Sequence, residues 1–245
     1  LQPNIEIILN IDSDHLDYFK DVEHIARSFD KFARLVPENG VVIAYDANPF
    51  VRSVIEGLPN KVTFGLSGES DYYASNIRFD AEGMPNFDVN HEGKRLCTIN
   101  LSIPGEHNIL NALAAFACTH ILGVGVEDIV ATLENYHGTH RRFDILGRTS
   151  TDIKIIDDYA HHPTEIKATL SAVKNMKHER LWCLFQPHTY TRTMALMDDF
   201  ASAFDDADII VLAEIYAARE KNIYKISSRT SAQKILEHDP DKEID

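Results

Sequence analysis

The sequence predicts an α/β fold with two domains, of which the second is a doubly wound parallel sheet. Hydrophobic residues make up 44% of the 245 residues, which is enough for two cores. Strand patterns alternate with amphipathic helix patterns, and this order is typical of sheets with parallel strands. A Gly- and His-containing stretch at residues 137–140 separates two such series.

The first domain opens with one strand–helix–strand unit. An apolar strand at residues 5–10 is followed by a helix at residues 22–36 and a strand at residues 41–45. The helix is predicted from apolar residues that recur at intervals of three and four. These residues are Val22, Ile25, Ala26, Phe29, Phe32, Ala33 and Val36.

Four short strand patterns then predict an antiparallel meander at the edge of this domain. They lie at residues 62–65, 72–79, 86–89 and 96–103. An Ala-rich helix at residues 111–120 and a second helix at residues 126–136 follow the meander. We place the domain boundary near Thr139, so that the predicted domains are residues 1–139 and 140–245.

The second domain repeats the strand–helix alternation. Strands are predicted at residues 153–157, 181–185 and 207–213, with helices after Pro163 and at residues 193–204. Alternation of this kind predicts a parallel, doubly wound sheet with ligands at the carboxyl ends of its strands.

Composition limits the classes of function. The formal net charge of −14 argues against a non-specific nucleic-acid binder, because phosphate backbones are bound mainly by Lys and Arg. No run of about 18 apolar residues predicts a membrane span, and the first residues lack the basic start of a signal peptide. Cys97, Cys118 and Cys183 are widely spaced, which favours buried, reduced thiols and a cytoplasmic location.

An acidic loop at residues 10–17 (NIDSDHLD) follows the first strand. Its carboxylates and His15 could bind Mg²⁺ directly or through water. Spacing alone favours the simpler alternative, a solvated loop whose aspartates cap the next helix.

Two further motifs each have a functional and a structural interpretation. Asn108 and Asn111 lie three residues apart at a helix start and could bind an adenine edge, although capping explains Asn108 equally well. Arg141 and Arg142 lie at the domain boundary, where they could bind phosphate or pair with the surplus carboxylates.

The most promising motif is the loop at residues 157–163 (DDYAHHP), which ends a strand. Residues 186–193 (QPHTYTRT) follow the next predicted strand. Two successive parallel strands thus end in polar, His-containing loops, which we expect to meet at one rim of a sheet. Packing alone does not require this arrangement, so the sequence predicts a functional site here.

Taken together, the chain resembles the Mur ligases of bacterial cell-wall synthesis over essentially its whole length. The motifs that carry the resemblance are residues 157–165 (DDYAHHPTE), 185–193 (FQPHTYTRT), 105–112 (GEHNILNA) and 141–144 (RRFD). The double His before Pro-Thr-Glu is similar to the alanine-adding branch. The resemblance implies the C-terminal part of a central ATPase domain, followed by a Rossmann-like C-terminal domain.

The resemblance also implies an activity and roles for individual residues. The reaction would join L-alanine to UDP-N-acetylmuramate with ATP and Mg²⁺, through an acyl phosphate, in a cytoplasmic monomer or homodimer. His15 would belong to a Mg²⁺ site, Asn108 and Asn111 to adenine, Arg142 to phosphate and Asp158 to ribose. His161 and Arg192 would seat L-alanine. Several relatives carry a second Arg at the position of Thr189, which puts the details of this clamp in doubt.

The main departure from the family is the lack of a Gly-rich phosphate loop before a Lys-Thr or Lys-Ser pair. We therefore expect the chain to be an inactive fragment of the ligase. Two alternatives stay open. One is a ligase that recycles murein tripeptide, and the other is a non-catalytic nucleotide-binding scaffold.

Overall fold

The computed structural model describes residues 2–16 and 18–245, so Asp17 of the acidic loop and Leu1 lie outside the described residues. The chain divides into two compact units. Unit 1 contains most of the chain up to His137, and unit 2 contains Gly138–Asp245. The short stretch that holds Asp14 and His15 clusters with unit 2, as does Ala81–Gly83.

Unit 1 is built on a six-stranded sheet whose strands are neighbours in chain order. They are β1 (Ile5–Ile8), β2 (Val41–Tyr45), β3 (Lys61–Gly65), β4 (Tyr72–Phe79), β5 (Pro85–His91) and β6 (Lys94–Asn100). β1 to β4 pair in parallel, and β4 to β6 pair antiparallel. The predicted meander is confirmed for β4 to β6. It is wrong for β3, which pairs in parallel with both of its neighbours.

Four helices pack on this sheet: α1 (Val22–Ala33), α2 (Pro49–Ile55), α3 (Glu106–Ile121) and α4 (Val126–Glu134). Asp21 begins α1 by accepting a hydrogen bond from the His24 N–H, at 2.7 Å. Helix α2 was not predicted, since it is only seven residues long. Its signal was present in the sequence, because Asn48 followed by Pro49 is a strong helix start.

The two faces of the sheet bury two separate apolar clusters. Successive residues of a strand point to opposite faces. Accordingly, Val42 and Ala44 of β2 pack with Ile25 of α1, while Ile43 packs with Phe64 and Ile109 on the other side. Helices α1 and α2 cover the first face, and α3 and α4 cover the second.

Unit 2 contains two small sheets. β7 (Asp144–Arg148) and β8 (Lys154–Asp157) form an antiparallel pair. β9 (Trp182–Phe185), β10 (Ile209–Leu212) and β11 (Glu243–Ile244) form a parallel sheet in the order β11-β10-β9. The helices are α5 (Pro163–Lys174), α6 (Tyr190–Ala195), α7 (Met197–Ala201) and α8 (Ser228–His238).

The parallel pairing of residues 181–185 with residues 207–213 is confirmed by β9 and β10. The expectation that the strand at residues 153–157 belongs to the same parallel sheet is wrong, because β8 pairs antiparallel with β7 in a separate sheet. Strand β7 was missed, since Ile145 and Leu146 are both exposed and the segment lacks an alternating pattern. In the part of the chain that the structure describes, no helix is long and apolar enough to cross a bilayer.

Candidate active site

The loop between β8 and α5 is held by the start of that helix. The Thr164 N–H donates to Nδ1 of His162, the N-cap residue, at 3.3 Å. The Glu165 carboxylate accepts from the backbone N–H groups of His161 and His162, at 3.0 and 3.3 Å. This reciprocal capping fixes the backbone at both histidines.

Asp158 is a structural junction in this loop. Its carboxylate accepts hydrogen bonds from the Ala160 N–H at 2.8 Å, the Phe143 N–H at 3.1 Å and the Thr169 hydroxyl at 3.0 Å. Asp158 therefore ties the end of β8 both to α5 and to the segment before β7. Each carboxylate oxygen can accept more than one hydrogen bond, so these contacts still allow one from ribose. The contact with ribose stays a prediction.

The tautomer of neutral His161 follows from one contact. Its Nδ1 lies 2.8 Å from the Tyr159 carbonyl oxygen. A carbonyl only accepts, so Nδ1 carries the proton and Nε2 carries the free lone pair. The ring lies 6.1 Å from the ring of His188, between centroids, and its side chain is 24% exposed.

The loop after β9 places Arg192 in the first turn of α6. Thr189 caps this helix, with its side-chain oxygen 3.4 Å from the Arg192 N–H and a φ of 66°. The Arg192 side chain is only 15% exposed, and its Nη1 lies 3.3 Å from Nδ1 of His188. Since arginine only donates, His188 Nδ1 is the acceptor. Burial lowers the pKa of His188, and the Arg192 charge lowers it further.

Asp14 neutralises Arg192 within unit 2. The Arg192 Nε and Nη2 atoms lie 3.3 and 3.0 Å from the same oxygen of Asp14. Burial acts to raise the pKa of Asp14, but hydrogen bonds from the His15 N–H and from Arg192 outweigh it, so the pKa is lowered. The Asp14 carboxylate is thus paired with the guanidinium that was predicted to bind L-alanine.

His15 lies in the same stretch, with a side chain that is 70% exposed and a φ of 52°. Mg²⁺ requires near-octahedral oxygen ligands. Among residues 2–16 and 18–245, no group of three His, Cys, Asp or Glu side chains is arranged to hold a metal. The donors around His15 therefore do not by themselves fit Mg²⁺, and its metal contact stays a prediction.

Arg141 and Arg142 pair with carboxylates of the same loop. Arg141 lies 3.5 Å from Asp157, and Arg142 donates to Glu165 at 3.2 Å. Both guanidinium groups lie against the Tyr159 ring, at 4.9 and 5.8 Å from its centroid. Their side chains stay half-exposed, so donors remain for a ligand.

Asn108 and Asn111 share one face of α3, as predicted, since the Asn111 amide donates to Asn108 at 3.1 Å. The Asn108 amide also donates to the Pro104 carbonyl at 2.7 Å. Both side chains belong to unit 1, whereas His161, Arg192, Arg142 and Asp158 belong to unit 2. The adenine contact stays a prediction.

Sequence reasoning missed the loop after β10. The Thr189 N–H donates to the Tyr216 carbonyl at 2.9 Å, and the Thr191 N–H donates to Glu220 at 2.8 Å. The Tyr216 ring lies 5.4 Å from that of His188. The signal was available, because β10 is a parallel neighbour of β9 and its loop belongs at the same rim.

The three cysteines are free and partly buried. Burial raises the pKa of Cys97 and Cys183 to about 11. Thiols with such values stay protonated at neutral pH, so they do not supply a nucleophile. The expectation that these thiols are buried is met only in part, because each of the three is half-buried.

Similarity to known proteins covers both units. Residues 1–119 match the Mur ligase middle domain, and residues 141–243 match the Mur ligase, glutamate ligase domain. The UDP-N-acetylmuramate–L-alanine ligase of Alkaliphilus metalliredigens is 48% identical over 97% of this chain and 52% of its own length. That of Caldanaerobacter subterraneus is 48% identical over 98% and 52%. The chain thus spans about half the length of the curated relatives it matches.

Solved structures show the same likeness. The crystal structure of the UDP-N-acetylmuramate-alanine ligase of Thermotoga maritima has a TM-score of 0.77 at 29% identity, covering 100% of this chain and 51% of that one. A murein peptide ligase of Psychrobacter arcticus has a TM-score of 0.65 at 27% identity, covering 100% and 49%.

Proposed function

Because the chain belongs to the Mur ligase family, we propose that it is part of an ATP-dependent ligase that joins L-alanine to UDP-N-acetylmuramate. Relatives with this name match along nearly the whole chain. The observation that supports the amino-acid site is that His161 and Arg192 both lie next to the His188 ring. The reaction would belong to cytoplasmic synthesis of peptidoglycan precursors.

The proposed reaction has two steps. The carboxylate of UDP-N-acetylmuramate attacks the γ-phosphorus of ATP, so ADP leaves and an acyl phosphate forms. The amine of L-alanine then attacks the acyl carbon, and the tetrahedral intermediate expels phosphate as the amide forms. Such chemistry depends mainly on positioning and on neutralisation of charge.

His161 and Arg192 suit the two ends of an amino acid. Arg192 presents a guanidinium that can pair with the L-alanine carboxylate once Asp14 yields its place. Nε2 of His161 carries the lone pair that can accept a proton from the ammonium group. Removing that proton produces the neutral amine, which is the nucleophile.

The remaining predicted residues would serve the nucleotide. Arg142 would pair with phosphate, and Asp158 would accept from ribose. Asn108 and Asn111 would contact adenine through donors and acceptors on one helix face. His15 would contribute to Mg²⁺ binding together with ligands from elsewhere, and no step above depends on it.

A murein peptide ligase is the second candidate, favoured by the likeness to the Psychrobacter arcticus structure. The test is ADP release by the full-length protein with UDP-N-acetylmuramate and either L-alanine or murein tripeptide. Release that requires L-alanine supports the proposal. A preference for the tripeptide would transfer the assignment to the second candidate, and no release with either would reject both.

The 245 residues alone are expected to release no ADP in the same assay. The reason is that no Gly-rich phosphate loop precedes a Lys-Thr or Lys-Ser pair in the sequence. Turnover by this chain would contradict the expectation of an inactive fragment.

A further inference from the structure

One carboxylate, that of Glu165, contacts both halves of the proposed site. It lies in the first turn of α5, where a carboxylate also complements the helix dipole. One of its oxygens faces the loop that holds His161, and the other faces Arg142. An ordinary helix cap would need only the first of these contacts.

The contacts of Oε2 fix the orientation of His161. Oε2 accepts from the His161 N–H at 3.0 Å and lies 3.6 Å from Nδ1 of the same residue. The ring is thereby held where Nδ1 donates to the Tyr159 carbonyl.

The contact of Oε1 fixes the orientation of Arg142. Nη1 of Arg142 donates to Oε1 at 3.2 Å, which directs the guanidinium towards the same loop. The side chains of Arg142 and Glu165 are 51% and 34% exposed, so the pair is only partly screened by water.

The Glu165 carboxylate stays ionised at neutral pH. Burial acts to raise its pKa, but hydrogen bonds from the N–H groups of His161 and His162 and from Arg142 act to lower it, and the pKa is lowered overall. The contact with Arg142 requires this charge, whereas the backbone N–H groups of His161 and His162 require only an acceptor oxygen.

We propose that Glu165 is a positioning residue that couples the amino-acid side of the site, through His161, to the nucleotide side, through Arg142. The inference rests on the proposed ligase function. It assigns to Glu165 two separable tasks, one for each carboxylate oxygen.

The substitution Glu165→Gln separates these tasks. An amide retains one acceptor oxygen, which the backbone N–H groups of His161 and His162 will engage. Its NH₂ group then faces Arg142, which has only donors, so that contact is lost. In the full-length ligase we expect KM for ATP to rise about fivefold, as for loss of one half-exposed ion pair, with KM for L-alanine changed less than twofold.

The substitution Glu165→Ala removes both tasks. We expect KM to rise for ATP and for L-alanine alike. The matched control is Thr230→Ala, because Thr230 makes the same type of cap at α8, accepting from the Ser227 N–H at 3.1 Å, without touching the site. It is expected to lower Tm by an amount similar to Glu165→Ala and to leave both KM values unchanged.

A second readout does not depend on turnover. In the 245-residue chain, ¹⁵N NMR of the imidazole is expected to show His161 protonated at Nδ1, with this single tautomer kept in Glu165→Gln and lost in Glu165→Ala. If Glu165→Gln leaves both KM values unchanged, or raises both equally, Glu165 is only a helix cap and the inference is wrong. If the unmodified enzyme does not use L-alanine, the proposed function fails, whereas the NMR result still tests the positioning of His161.

Discussion

Glu6 in unit 1 and Glu165 in unit 2 are the same side chain in opposite surroundings. Glu6 is 4% exposed, and neither of its carboxyl oxygens has a hydrogen-bond partner among the described residues. Burial raises its pKa to about 7. Glu165 receives three hydrogen bonds from two N–H groups and Arg142, and its pKa is lowered although burial acts against this.

The difference shows that donors, rather than burial alone, decide whether a carboxyl group is charged in this fold. Glu6 alternates with Ile5 and Ile7 along β1 and so shares a strand face with Ile8, which belongs to an apolar cluster. An apolar environment tolerates the protonated form far better than the carboxylate. In unit 2, the backbone of a helix start supplies the donors that β1 does not offer.

The largest expected effect is on stability at Glu6. Its ordinary pKa is 4.5, and its pKa in the folded chain is about 7. The protonated form therefore favours folding below about pH 4.5, and this contribution is lost as the pH rises through 7. Relative to Glu6→Gln, the unfolding free energy of the natural chain should fall by about 2–3 kcal/mol between pH 5 and pH 8.

Urea unfolding at the two pH values measures this fall. Trp182, the single tryptophan, lies in unit 2, so a transition seen by circular dichroism but not by its fluorescence belongs to unit 1. An identical pH dependence in both proteins would mean that Glu6 is ionised or solvated, and the contrast with Glu165 would disappear.

Arg192 is a partly buried cation that, unlike Glu6, has a partner of opposite charge. Under the proposed function, replacing Arg192 by Ala in the full-length protein should raise KM for L-alanine by about 100-fold, as expected for loss of a charge-assisted pair with the substrate carboxylate. Arg192→Lys should restore only part of this, because an ammonium cannot form the bidentate pair. Steady-state kinetics at varied L-alanine gives both values.

Asp14→Asn is the matched control for Arg192. It weakens the ion pair with Arg192 but leaves the guanidinium in place. KM for L-alanine should stay the same or fall, since the competing carboxylate is neutralised. A rise as large as that of Arg192→Ala would show that the ion pair, rather than a free guanidinium, is what the enzyme needs.

The smallest expected effect is on the stability of unit 2 at Asp158. It tests how much the hydrogen bonds donated to the Asp158 carboxylate stabilise this unit. Asp158→Asn keeps one acceptor oxygen and loses the other, so the Phe143 or Ala160 N–H loses its partner. Unit 2 should lose about 1–2 kcal/mol of unfolding free energy. Thr169→Val removes only one of the three hydrogen bonds and should cost about half as much.

Urea unfolding followed by Trp182 fluorescence gives both Asp158 and Thr169 values. Equal losses for the two variants would assign the stabilisation to the Thr169 contact alone. No loss in either would mean that water replaces these donors.

Much of the fold followed from sequence periodicity. β2 and β4 begin and end at the predicted residues, and α1 begins at the predicted Val22. The apolar residues of these elements recur at the period of a strand or of a helix, so one face of the element is apolar and can be buried. The predicted convergence of the loops at residues 157–163 and 186–193 is also observed, through the rings of His161 and His188. The two loops do not meet at the rim of one sheet, because β8 and β9 lie in different sheets.

The sequence by itself determined the class of fold, the order of most elements and the loops that carry polar side chains, because each depends on residues close together in the chain. Only the tertiary structure decided which charged groups meet. Asp14 and Arg192 are 178 residues apart, and Glu6 carries no local sign that it lacks a donor. Pairing and desolvation depend on what folding brings next to a side chain, and they set the charge of the groups on which the proposed chemistry relies.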